Sequence, residues 1–102
     1  MNIKDLKEGM KNVTLKNVKI IDIGETREFE KYGKPGRVAT ATLEDSTGTV
    51  LCPLWNAQID DFEIGEVISI INGYVSEFGG KLQISTGKTG NIVRGPEEER
   101  VE

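Results

Sequence analysis

Apolar residues recur at every second position over most of this chain, a spacing that suits an extended strand with one buried face. Over residues 37–44, Ala39, Ala41 and Leu43 fall on one side, Val38, Thr40 and Thr42 on the other. In the next run Val50, Cys52 and Leu54 form the inward set, opposite Leu51, Pro53 and Trp55. Over residues 71–78, Ile71, Gly73 and Val75 stand against Asn72, Tyr74, Ser76 and Phe78. The last of these faces is half polar and half aromatic, and flat rings on the solvent side of a sheet need a reason beyond packing.

Read in order, the segments predict a small all-β domain. Val13, Leu15, Val18, Ile20, Ile21 and Ile23 mark a long first strand whose alternation slips near Asn17, as where a bulge bends a barrel strand; Gly24 closes it. Residues 28–36, EFEKYGKPG, hold two glycines and a proline and read as an exposed hairpin loop. Residues 37–44 form the second strand, Asp45-Ser46-Thr47-Gly48 a turn, and residues 49–55 the third strand. Pro53 lacks a ladder donor and implies an edge or bulge there. Residues 56–64, NAQIDDFEI, are the one plausible helical turn, a plug with Ile59 and Phe62 toward the core, ended by Gly65. Residues 66–78 give a fourth strand, Gly79-Gly80 a tight hairpin, and residues 81–86 a fifth. This order is that of a five-stranded Greek-key oligonucleotide-binding (OB) barrel with one short helical plug between strands three and four. Another small barrel has the same order.

At 102 residues the chain supports a single core, assigned to residues 1–94, with residues 95–102 as a short acidic tail without fixed structure. No apolar run approaches the ~20 residues of a membrane span, and the first ten residues lack the apolar centre of a secretory signal. A cytoplasmic location is expected. One cysteine, Cys52, on the inward parity of its strand, and the absence of histidine argue against a disulfide, a zinc cluster or histidine-based nucleophilic chemistry. No cofactor is expected. Asn12-Val13-Thr14 matches a glycosylation sequon, an accidental match without a secretion signal.

The formal net charge of −4 at first opposes a nucleic-acid partner. Its distribution weakens that objection. The last eight residues hold four of the seventeen acids and one of the thirteen bases, so residues 1–94 are nearly neutral. No Lys or Arg lies between Arg37 and Lys81, while seven acids do. If the fold brings the region around residues 27–37 near residues 81–94, a basic rim flanks the aromatic face; otherwise the charges are simply mixed and solvated.

The run LEDSTGTV at residues 43–50 leading to Trp55, then Gly65, Asn72-Gly73-Tyr74, Phe78-Gly79-Gly80-Lys81-Leu82 and Thr86-Gly87-Lys88, resembles the single-OB-fold single-stranded DNA-binding proteins of archaea. It is similar also to the B subunit of eukaryotic sensor-of-single-stranded-DNA complexes. The opening Lys4-Asp5-Leu6-Lys7-Glu8-Gly9-Met10 resembles the segment that precedes the barrel in that family. The order and spacing of these motifs carry the resemblance, which extends from residue 3 to about residue 94. It implies that Trp55, Tyr74 and Phe78 stack on successive bases, each for roughly 1–3 kcal/mol. Some members have a further aromatic where this chain has Ser85, so a fourth platform at that position is absent.

Candidates for phosphate contact are Lys31, Lys34, Arg37, Lys81, Lys88 and Arg94; Arg37, Asn72, Ser76, Gln83 and Ser85 are candidates for hydrogen bonds to base edges or sugar. Each ring keeps a second reading: Trp55 as a core residue at a strand end, Tyr74 as a core residue with its hydroxyl at the rim, and Phe78 as a shield for Gly79-Gly80. Phe29 and Tyr32 belong to the loop, either clamping a bound strand or packing within it. Thr86-Gly87-Lys88-Thr89 echoes a phosphate-binding loop, but Leu82 stands where its first glycine is required. Asp60, Asp61 and Glu63 diverge on one helical turn and read as solvated charge. No catalytic residue, no metal ligand and no enzyme activity is therefore assigned. Three functions remain: a single-stranded DNA-binding protein of replication, recombination or repair; an RNA-binding barrel; or a protein-interaction barrel within a larger complex.

Overall fold

In the computed structural model, which describes residues 2–86 and 90–94, a 3-10 turn at Ile3–Asp5 precedes β1 (Val13–Ile23), β2 (Arg27–Lys31), β3 (Lys34–Asp45) and β4 (Gly48–Trp55). A short helix, α1 (Ala57–Asp61), leads into β5 (Val67–Phe78), β6 (Lys81–Ser85) and β7 (Asn91–Arg94). β1 pairs antiparallel with β3 and with β5, β3 with β4, and β5 with β6. β6 meets β4 in parallel at Leu51 and Gln83, which closes the circuit. These five strands are the expected OB barrel. Inward residues Leu15, Val18, Ile20, Ala41, Leu43, Cys52, Leu54, Ile68, Ile70 and Ile84 are fully excluded from water.

The structure adds two strands. Residues 28–36, expected as a loop, are mostly β2 and the start of β3, paired from Arg27 opposite Val38 to Lys31 opposite Lys34. Tyr32 and Gly33, at φ 53° and 76°, make the two-residue turn whose left-handed backbone matches the strand twist. All five residues of β2 are exposed, so its alternation is Arg-Glu-Phe-Glu-Lys and carries no apolar signal. The hairpin is an arm standing beyond the barrel. β7 pairs with residues 68–71 of β5, on the side of β5 away from β1. The segment from 87 to 89, with Lys88, and the tail from 95 lie outside the described residues.

Two bulges shape the barrel. At Asn17 (φ 59°) three residues of β1 span two of β5, and the Asn17 amide donates to the Ser69 hydroxyl at 3.1 Å, giving that buried side chain its partner. At Asn72 (φ 60°) β5 gains a residue between Ile70 and Gly73, so those two face the core together. Ile71, expected to share a face with Gly73 and Val75, is therefore half-buried opposite Asn91. Gly73 is needed at this point because a Cβ there would lie 3.0 Å from Ile70 Cγ2 and 3.1 Å from both Ile84 Cγ1 and the Ser85 carbonyl. Beyond Gly73 the alternation is the one read from the sequence.

The barrel ends are closed by different segments. Ile3 and Leu6 cover the end where β3 turns into β4; Phe62, with the partly buried Ile59, covers the other. The helical plug is shorter than expected because Asn56, at φ 52°, starts it and Phe62 is already extended. Cys52 is sealed in the core, and burial pushes its thiol up to about 12, so it stays protonated and inert.

Asp45 joins the N-terminal cap to the β3–β4 turn. One oxygen accepts the Ile3 amide at 2.8 Å; the other accepts the Thr47 hydroxyl at 2.6 Å and the amides of Thr47 and Gly48. Desolvation pushes this carboxyl upward, but the Thr47 hydroxyl and the three amides outweigh it and hold the group below its ordinary value. A lowered value means that the contribution is complete above the unfolded-state value near 3.8 and is lost as pH falls through the lower folded one. Asp45→Ala is expected to cost about 1–2 kcal/mol in urea unfolding at neutral pH, by loss of charge-assisted hydrogen bonds. It should also flatten the fall in stability below about pH 4; a melting curve and acid profile identical to the parent's would refute the role.

Candidate nucleic-acid interface

Partners directly opposite each other in a sheet share a face, so the register traces the outer surface residue by residue. Arg27 stands opposite Val38, Val38 opposite Trp55, Thr40 opposite Pro53, and Thr42 opposite Leu51. Leu51 meets Gln83, Gln83 meets Ser76, Ser85 meets Tyr74, and Lys81 meets Phe78. One continuous face thus runs from the arm across β3, β4 and β6 to β5. Trp55 and Tyr74 each keep 44% of their surface exposed and Phe78 keeps 68%, values that a core side chain does not show.

Trp55 is fixed by its surroundings. Its amide donates to Gln58 Oε1 at 3.0 Å on α1. The next residue, Asn56, exchanges hydrogen bonds with Arg37: its amide donates to the Arg37 carbonyl and its Oδ1 accepts the Arg37 amide, both at 2.9 Å. This clasp ties the end of β4 to the base of the arm. Two depressions meet at the indole. One lies among Trp55, Tyr74, Pro53, Gln58, Gln83, Ser85 and Thr86; the other among Trp55, Phe78, Arg27, Thr40 and Gln83. Tyr74 and Phe78, four residues apart on β5, are separated by roughly 13 Å at about 3.3 Å per residue.

The remaining candidates divide by position. Gln83 sits at the centre of the face and Ser76 beside it; Ser85 is only 6% exposed and forms part of the floor beside Tyr74. Asn72 is exposed at the β5 bulge. Lys81 flanks Phe78, while Lys31 and Lys34 lie opposite each other near the arm tip. Arg37 is on the reverse side of the arm, its guanidinium held by Asp60 at 2.9 Å and by the Asn56 carbonyl at 3.2 Å. Arg94 is not brought to the aromatic face. It stands opposite Ile68, six residues along β5 from Tyr74, bound to Glu66 at 2.8 Å and to the Asp61 carbonyl, with its guanidinium 5.1 Å from the Phe62 ring. The Glu63 amide and then Arg94 hold the Glu66 carboxyl below its ordinary value. Asp60 thus serves Arg37, and among the described residues no group of three His, Cys, Asp or Glu side chains is placed to hold a metal ion.

Sequence reasoning took Arg27 only as part of the basic region 27–37, read Phe29 as a loop residue that clamps a bound strand or packs within the loop, and missed Gln58. Phe29 lies edge-on to Trp55, ring centroids 5.9 Å apart and planes at 80°. Strict alternation across residues 27–31 was the available signal for the first two; for Gln58 there was none, because its role depends on the turn at Asn56.

The chain matches the family described as single-stranded DNA binding protein Ssb-like, OB fold, over residues 6–94. It is similar to the replication factor A of Methanothermobacter thermautotrophicus, with 34% identity over 96 residues that span 88% of this chain and 12% of that protein. The single-stranded DNA binding protein Ssb of Saccharolobus solfataricus is 25% identical over 96 residues, 94% of this chain and 64% of the relative. The chain therefore spans about an eighth of the first relative and under two thirds of the second. Among solved structures, the second OB-fold domain of replication protein A from Methanococcus maripaludis superposes with a TM-score of 0.68 at 28% identity, covering 100% of this chain and 98% of that one. With its closed barrel, its exposed aromatic face and a family match over most of its length, the chain belongs to the Ssb-like OB-fold family of single-stranded DNA-binding proteins.

Proposed function

We propose that this chain binds single-stranded DNA without catalysing a reaction, in DNA replication, recombination or repair, in the cytoplasm and beside other proteins of such a complex. The observation that carries this reading is one outward face on which Trp55, Tyr74 and Phe78 are all substantially exposed. Unpaired bases stack on such rings; paired bases within a duplex have no free faces to offer. Arg27, Lys31, Lys34 and Lys81 border the face and supply contacts to phosphate, which position the strand without reading its sequence. Gln83 and Ser76, between the rings, are the donors and acceptors nearest the base edges. The names of the two curated relatives, a replication factor and a single-stranded DNA-binding protein, support DNA over RNA as the ligand.

Trp55 is the only tryptophan, so its fluorescence reports on the face directly. Adding oligo(dT) in low salt is expected to quench it, with little change on adding duplex; an unchanged signal would defeat base stacking there. Titrations with matched DNA and RNA strands should favour DNA, and equal affinities would turn the reading toward a general single-strand binder.

Trp55→Ala is expected to weaken oligo(dT) binding by about 1–3 kcal/mol with the melting transition nearly unmoved. An unfolded variant would make the ring structural. Each charge removed from Arg27, Lys31, Lys34 or Lys81 should make the plot of log affinity against log salt shallower by about 0.7, the increment for one single-strand phosphate.

A further inference from the structure

We propose that Gln58 selects among bases at the Trp55 platform: its side-chain amide donates a hydrogen bond to a carbonyl oxygen of the base stacked on the indole, favouring thymine over adenine there. The inference rests on the single-strand reading of the aromatic face and adds to it a residue that chooses what the face holds.

The sense of this amide is set by its partner. A backbone N–H can only donate, so the 3.0 Å bond from the Trp55 amide requires the oxygen of Gln58, and not its nitrogen, to face the end of β4. Asn56, at φ 52°, ends β4 and starts α1 at once, which brings a side chain three residues on back to that amide. Gln58 is half-buried and lines the depression that Trp55 and Tyr74 bound. With the oxygen held at the backbone, the end left for an occupant is the NH2, two donors and no acceptor. Among the described residues nothing accepts from it.

The neighbouring polar groups carry no such bias. The Ser85 and Thr86 hydroxyls rotate, and the Gln83 amide, unpartnered among the described residues, can turn either end outward. Gln58 differs from them in having a fixed sense.

Bases differ in what they bring to such a group. Thymine, cytosine and guanine carry exocyclic carbonyl oxygens, which accept, whereas the exocyclic group of adenine is an amino donor. A base lying flat on the indole holds these groups at its rim, within reach of side chains that border the ring. Thymine there completes the hydrogen bond. Adenine sets donor against donor and leaves the Gln58 NH2 unpaired in a half-buried place.

Holding the indole in position is the competing role for Gln58, and an isosteric change separates the two. In Gln58→Glu one carboxylate oxygen still accepts the Trp55 amide while the other end becomes an acceptor, so a residue that only supports Trp55 would behave as before. The added charge repels phosphate on every strand alike, so the quantity to read is the ratio of affinities for labelled oligo(dT) and oligo(dA) of about eight nucleotides, measured by anisotropy. Self-stacking of oligo(dA) is the same for parent and variant and cancels. Gln58→Glu is expected to lower the dT-to-dA ratio about fivefold or more, the effect of trading a favourable hydrogen bond for an opposed pair. Gln58→Met, uncharged and without the NH2, should lower it in the same direction by a smaller factor. An unchanged ratio in either variant would overturn the proposal. Trp55→Ala tests the underlying reading: if it weakens both strands while the ratio ignores Gln58→Glu, the selecting role alone fails, and if it changes neither affinity, the single-strand reading fails with it.

Discussion

The closed circuit of strands β1, β3, β4, β6 and β5 is the constraint from which the rest follows. Closure removes the free edges of the five strands and gives each of them one inside and one outside. Once Val50, Cys52 and Leu54 are committed inward, Trp55 has no inward position left. The same holds on β5, where burial of Gly73 and Val75 turns Tyr74 outward. The rings are therefore exposed because the barrel has no room for them on its inner parity, and a surface held by the core itself is rigid enough to meet a base without rearranging.

Such parity arguments survive only if the irregularities sit in the right places. An extra residue in a strand shifts every later side chain to the opposite face. The bulge at Asn72 falls before Gly73, so it re-aims Ile71 and spares Tyr74 and Phe78. Asparagine is among the few non-glycine residues that tolerate a left-handed backbone, and both Asn17 and Asn72 use that tolerance. The two bulges bend β1 and β5 where they pair, which lets an eleven-residue strand and a twelve-residue strand wrap one small core.

Much of this was readable from the chain. Apolar alternation located the five barrel strands, the β3–β4 turn and the inward set, because burial writes a period of two into the sequence. It also named Trp55, Tyr74 and Phe78 as the outward rings. What it missed shares a cause: the arm buries nothing. With charged residues on both sides and a proline among two glycines, residues 28–36 carry turn chemistry and no apolar stripe, so pattern reading returns a loop. The period was nonetheless there in Arg27, Phe29 and Lys31. Arg94 failed for another reason. Its neighbours Glu66, Asp61 and Phe62 are brought together only by the pairing of β7 with β5, and no local pattern announces a strand of only four residues, Asn91–Arg94.

The net negative charge of the chain is consistent with the proposed phosphate contacts once distance is counted. At physiological ionic strength charges are screened beyond about 8 Å, so a strand lying on the face responds to Arg27, Lys31, Lys34 and Lys81 far more than to acids on the reverse of the arm. Among the described residues, Arg37 and Arg94 are paired with acids, and both are set away from that face. The four cations on that face among the described residues are a modest attraction. On the proposed reading, stacking on hydrophobic rings has to supply a large share of the affinity, which would bind the choice of single strands over duplex to the aromatic residues and leave the cations mainly to hold the strand in register.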